Sequence, residues 1–173
     1  MRKSYVILIY VLILLLGAIG VSTLVWNDID NKTISQEYYN HYLGYKETLL
    51  NQEEYATSSN DIEIVVNVQK NEVKDKYLVS TTFLNPKRNY RDIIILVIDK
   101  SELSRETDKV YPSVGIVGDF NNDFVTSKPN KKTTHSKITL NYECDTASKG
   151  VLIYFEYIDD AKTCISYIDV SVN

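Results

Sequence analysis

From Tyr5 to Trp26 the chain carries no charged residue. As a helix this run of about 22 residues reaches ~33 Å, enough to cross the hydrocarbon core of a bilayer. A helix satisfies its own backbone hydrogen bonds in lipid, so the pattern predicts a transmembrane anchor. Arg2 and Lys3 precede the run, whereas Asn27, Asp28 and Asp30 follow it. Positive flanks stay in the cytoplasm, which puts the N-terminus inside and the rest of the chain outside. The competing expectation is a secreted protein, cut as a signal peptide near Gly20 after Ala18-Ile19. Val21 to Trp26 continue the apolar run past that point and favour the retained anchor.

Beyond a polar neck at 27–33, Thr33 and Gln36 have capping-box spacing, and Ile34, Tyr38, Tyr42, Tyr45 and Leu49 follow at helical intervals. An amphipathic stalk helix is expected from Thr33 to Tyr55, with Gly44 as a weak point inside it. After Asn60 the period changes from 3.6 to 2. Alternation predicts strands over Ile62–Gln69 and Ile138–Glu143; Tyr77–Leu84 is rich in β-branched and aromatic residues, and Val151–Ile158 and Ile165–Val172 complete the set. Ile93–Ile98 is apolar at every position and reads as a strand buried on both faces. Pro112 demotes Val110–Val117 to an edge or bulged strand. Asn85-Pro86 and Asp159-Asp160 supply turns.

The expected fold is therefore mainly β: an immunoglobulin-like two-layer β-sandwich of about seven strands, preceded by a transmembrane helix and a stalk helix. Three segments follow: 1–26 as cytoplasmic tip and anchor, 27–59 as neck and helix, and 60–173 as an extracytoplasmic sandwich. Residues 77–99, read as strand, Asn85-Pro86 turn and strand, are similar to the second and third strands of extracytoplasmic immunoglobulin-like domains of Gram-positive bacteria. The stretch from Ser148-Lys149-Gly150 through Val151 to Tyr157 resembles a later strand of those domains. The resemblance spans roughly residues 60–173. It implies an anchored accessory or ligand-binding module and brings no catalytic residue with it.

Charge narrows the partners. The formal net charge is −4, and with Arg2 and Lys3 assigned to the cytoplasm the exported part carries −6. Such a surface argues against nucleic acid and against anionic lipid bound by bulk electrostatics. Cys144 and Cys164 are the only cysteines. In a meander they fall at opposite ends of the sheet, ~20 Å apart at ~3.3 Å per residue, whereas a disulfide needs Cα atoms within ~7 Å. Two reduced thiols are expected, although a crossing connection would bring the two together.

The sharpest local pattern for chemistry is Asp119, Asn121 and Asp123, which alternate as oxygen ligands of calcium do. The helix–loop–helix calcium signature also wants glycine at its sixth position and glutamate at its twelfth, where this chain has Phe124 and Asn130. Calcium is thus an alternative expectation beside a solvated turn rich in Asn and Asp. Lys128, Lys131, Lys132 and His135 form a basic patch suited to a phosphate or acidic polymer, or simply a solvated loop. Lys162-Thr163-Cys164 looks like the Thr-Cys element of sortase transpeptidases, with His135 as the upstream histidine. No arginine follows Cys164 to stabilise an oxyanion, so an enzyme is not expected. Tyr38, Tyr42 and Tyr45 either dock the stalk helix on the sandwich or offer a contact surface near the membrane. By subtraction, the expected role is a non-enzymatic, anchored module that binds an envelope protein or a second copy of itself. The alternative is calcium or small-ligand binding through the 118–135 loop.

Overall fold

The computed structural model describes residues 39–103, 109–112 and 122–172. The expected anchor, the neck, Tyr38 and the first turns of the stalk helix lie outside them. Among the described residues no helix is long and apolar enough to cross a membrane.

Helix α1 covers 39–50 of the described chain. Tyr42 and Leu49 are buried and Tyr45 is partly buried, all on one face, where they pack against Leu96, Ile98, Val110, Leu152 and Tyr154. The helix stops at 50, five residues before Tyr55, because side chains take over the carbonyls of its last turn. Gln52 Nε2 donates to Thr48 O at 2.8 Å and the Tyr55 hydroxyl to Leu49 O at 2.6 Å. Those acceptors have no partner within a helix that ends there.

The strands are β1 (Glu63–Asn71), β2 (Lys76–Leu84), β3 (Arg91–Asp99), β4 (Lys109–Tyr111), β5 (Asp123–Phe124), β6 (Thr134–His135), β7 (Lys137–Cys144), β8 (Gly150–Asp159) and β9 (Lys162–Ser171). They form a three-stranded sheet of order β1-β2-β7, a four-stranded sheet of order β4-β3-β8-β9, and a small pair β5-β6. Both larger sheets are antiparallel throughout. The small pair is parallel and clips onto the lead-in to β3, where Tyr90 and Phe124 exchange backbone hydrogen bonds of 2.8 and 2.9 Å.

One core joins the two sheets. Val79 and Phe83 of β2 with Ile138 and Leu140 of β7 meet Ile93, Ile95 and Val97 of β3 and Val151, Ile153 and Phe155 of β8. Phe83 and Phe155 lie 6.5 Å apart between ring centres. The fold is mainly β and consistent with a β-sandwich. Ile93–Ile98 is apolar at every position because β3 has a core on each side. Its odd positions face the other sheet, and its even positions Leu96 and Ile98 lie under α1. The outward face of the three-stranded sheet is mostly polar, with Val65 and Leu78 as exposed exceptions: Asn67, Ser80 and Asn141 stand in one row.

Thr81 breaks the rule that buried polar atoms are paired: it is fully buried, and among the described residues its hydroxyl finds no hydrogen-bond partner. An orphaned hydroxyl costs roughly 1–3 kcal/mol, while valine fills nearly the same space. Thr81→Val should therefore raise the stability by about 1 kcal/mol, read from the urea midpoint. A fall of that size instead would show that the hydroxyl has a partner.

Candidate functional site

A recess opens at one end of the sheets, where the chain crosses from α1 to β1. Residues 56–62 form one wall. Ala56 bridges Ile168 on the edge of β9, and Ser59 Oγ accepts the amides of Asp61 and Ile62 at 3.3 and 3.1 Å. Ile62, Phe155 and Ile168, all buried, lie at the bottom, and Ser58, Asn60 and Ser166 line the upper part. The volume is about 210 Å³.

The opposite wall is Arg88, carried by the loop after Asn85-Pro86. Asn85 has φ 50°, a left-handed conformation that Asn tolerates, and Lys87 N–H donates to Asp61 O at 2.8 Å, which fixes the loop. The Arg88 guanidinium lies over the rings of Tyr90 and Tyr157, 4.9 and 5.0 Å from their centres. It donates to Asp159 Oδ2 at 2.9 Å and to the Tyr157 hydroxyl at 2.6 Å, and its Nε sits 3.7 Å from Asp61 Oδ2. Burial raises the phenols of Tyr90 and Tyr157 above their ordinary value. One cation thus faces two carboxylates, and its fork is already engaged. This arrangement is poorly suited to an anion. It suits a small uncharged or cationic group whose apolar part reaches the floor.

Nothing in the sequence brought these recess residues together. They come from four separate stretches, and Arg88 differs from any surface arginine only through its neighbours.

The expected site residues are scattered. Asp119 and Asn121 lie outside the described residues. Asp123 is on β5, and its Oδ1 accepts the Asp92 amide at 3.2 Å, which supports the positive φ of Asp92. Among the described residues no group of three or more His, Cys, Asp or Glu is placed to hold a metal ion. Lys128, Lys131 and Lys132 are exposed on the loop between β5 and β6. Tyr42 is buried beneath α1, and Tyr45 stacks towards Tyr154 at 5.2 Å.

His135 sits in a polar cluster of its own. Its Nε2 lies 3.0 Å from Asn122 Oδ1, which also accepts the Tyr111 hydroxyl at 3.3 Å. Tyr111 packs edge-on to the imidazole at 5.5 Å. The Asn122 oxygen can only accept, so Nε2 carries the proton. Burial lowers the His135 pKa from 6.5 and pushes the Tyr111 phenol up to about 12. A histidine depressed in the folded state stabilises the fold above its unfolded pKa, and that contribution is lost as pH falls through the folded value. The urea midpoint should therefore drop as pH goes from 7 to below 6, with a smaller drop in His135→Gln. Equal slopes in the two proteins would remove His135 as the cause.

Cys164 pairs with Tyr157 across the β8–β9 ladder. Cys144 is buried beside Asp99, its Sγ 3.6 Å from the Oδ2 that also accepts the Tyr142 hydroxyl at 2.9 Å. Asp99 pairs with Val151 on β8. The two thiols are thus separated by six β8 positions, ~20 Å, and they form no disulfide with each other. Asp99 Oδ1 accepts the Ser101 amide at 2.8 Å. This buried carboxylate holds the turn after β3 against the end of β7. No protein-family model matches the chain, and no curated protein matches it.

Proposed function

We propose that the chain is a single-pass, membrane-anchored extracytoplasmic module that binds a cell-envelope protein without catalysing a reaction. The anchor rests on the charge-free run 5–26 and on the charges that flank it. The immunoglobulin-like reading rests on strand order. β1-β2-β7 corresponds to the first, second and fifth strands of that fold and β3-β8-β9 to the third, sixth and seventh, with β4 added beside β3.

Partner binding is carried by the exposed apolar residues of α1. With one face of the helix buried on the sheet, Tyr39, Leu43 and Leu50 stay 39%, 43% and 37% exposed. With Lys46 between them, these residues repeat at the heptad spacing by which one helix meets another. About a dozen residues separate Trp26 from Tyr39, so a partner would be met close to the bilayer. The recess points the same way. It is smaller than the ~300–1,000 Å³ of most small-ligand pockets and suits a protein side chain better than a cofactor.

A photo-crosslinking residue at Leu43 in intact cells should trap an envelope protein. The same residue at Asn141, on the polar outer face of the three-stranded sheet, should not. Adducts at neither position, or at both alike, would sink the partner reading. Protease added to right-side-out vesicles should cut beyond Trp26, and protection there would remove the assigned sidedness.

A further inference from the structure

Two of the four edges of the larger sheets are blunted, and of the two left open β7 has less apolar surface to gain from a partner than β1. On the β9 edge, Ala56 donates to Tyr167 O at 2.9 Å and accepts from Asp169 N at 2.8 Å. The β4 edge is three residues long and runs into Pro112, which has no N–H to offer. The β7 edge has its inner row buried, from Ile138 to Cys144. β1 differs: nine residues pair with β2 without a register shift, no other described strand lies beyond it, and its inner row of Ile64, Val66 and Val68 is only half-buried. A long, unbulged, proline-free edge is a template for another strand.

The sequence of β1 selects the occupant. We infer that β1 pairs antiparallel with β1 of a second copy about a two-fold axis at Val66. In that register Ile64 lies opposite Val68 of the second copy and Val66 opposite Val66, so the half-buried row meets only apolar side chains. Glu63 lies opposite Gln69, and no like charges face each other. A parallel pairing would set Glu63 beside Glu63 and Lys70 beside Lys70, which is unfavourable.

An independent feature fits the same geometry. Val73, in the hairpin after β1, is 96% exposed, the most exposed large hydrophobic residue of the described chain. In that register the second copy's Asn71 lies opposite Asp61, which brings the hairpin that carries its Val73 to the rim of the recess whose floor is Ile62, Phe155 and Ile168. A neutral branched side chain matches that apolar floor, and two-fold symmetry fills both recesses at once. The inference stands apart from the α1 partner, since α1 covers the other sheet.

The test uses full-length protein purified in detergent, with Cys164→Ser as background. An equal mixture of Val65→Cys and Asn67→Cys proteins should form a disulfide dimer, because those positions face each other across the axis. Either protein alone should not, nor should Leu43→Cys. Val73→Asp should keep the melting temperature of the parent and weaken the dimer about a hundredfold or more, since two buried valines are lost per dimer. A monomer at every concentration overturns the pairing. So does crosslinking of Val65→Cys alone to the extent of the mixture, or a dimer that Val73→Asp leaves unchanged.

Discussion

Gly150→Ala is expected to destabilise the fold by roughly 2–6 kcal/mol, combining backbone strain with overpacking. Gly150 opens β8 with φ +137°, a conformation that side chains rarely adopt. A Cβ there would lie 2.2 Å from Val170 O and 2.9 Å from Ser171 Cα. Both are backbone atoms of β9, the strand that pairs with β8 along its whole length, so relief requires β9 to move. The same glycine ties in two further stretches: its carbonyl accepts Lys100 N at 2.9 Å and its amide donates to Ser148 Oγ at 3.2 Å. Shifting Gly150 would therefore loosen the turn after β3 as well. The urea midpoint should fall with little change in slope. Gly44 is the internal contrast. It lies in α1 with nothing within 4 Å of its would-be Cβ, so Gly44→Ala should gain about 0.5–1 kcal/mol. If both variants moved the midpoint in one direction, the account of Gly150 would be wrong.

The sequence disclosed these strands because their side chains alternate against a layered core, and it disclosed little that depends on which strands become neighbours. Alternation located β1 and β7, and β-branched and aromatic content between turns located β2, β8 and β9, each to within a few residues; the unbroken apolar run of β3 signalled its two covered faces. β5 and β6 escaped because two residues have no period. Their pairing depends instead on Tyr90 and Phe124 meeting through the backbone. The helix ran short of its expected end because two side-chain donors, Gln52 and Tyr55, terminate it; spacing carries no record of that. The tyrosines mark the limit most clearly. Tyr39 and Tyr42 share one helix and one chemistry, yet Tyr42 is 3% exposed and Tyr39 is 39% exposed. Only the seat of α1 on the four-stranded sheet separates them. The Arg88 recess was illegible for the same reason, since Asp61, Tyr90, Tyr157 and Asp159 converge only once both sheets are closed.

That seat can be tested at Leu49, which is fully buried against Leu96, Ile98, Val110, Leu152 and Tyr154. Leu49→Ala should cost about 2–5 kcal/mol, the range for a buried leucine truncated where the surroundings relax only partly. Where the loss falls matters more than its size. Two β-sheets with their own core remain on the far side of β3 and β8, whereas α1 depends on Tyr42, Tyr45 and Leu49 for its contact. A helix in water draws most of its stability from the packing of its apolar face, so undocking is also melting. Trypsin should then cut at Lys46 well before the sandwich unfolds, and the helical part of the far-ultraviolet signal should be lost first. Leu43→Ala, on the free side of the same helix, should stay within about 0.5 kcal/mol of the parent. Equal losses at Leu43 and Leu49 would mean that α1 is seated on a different face. The exposed stripe proposed to meet the partner would then be the buried one.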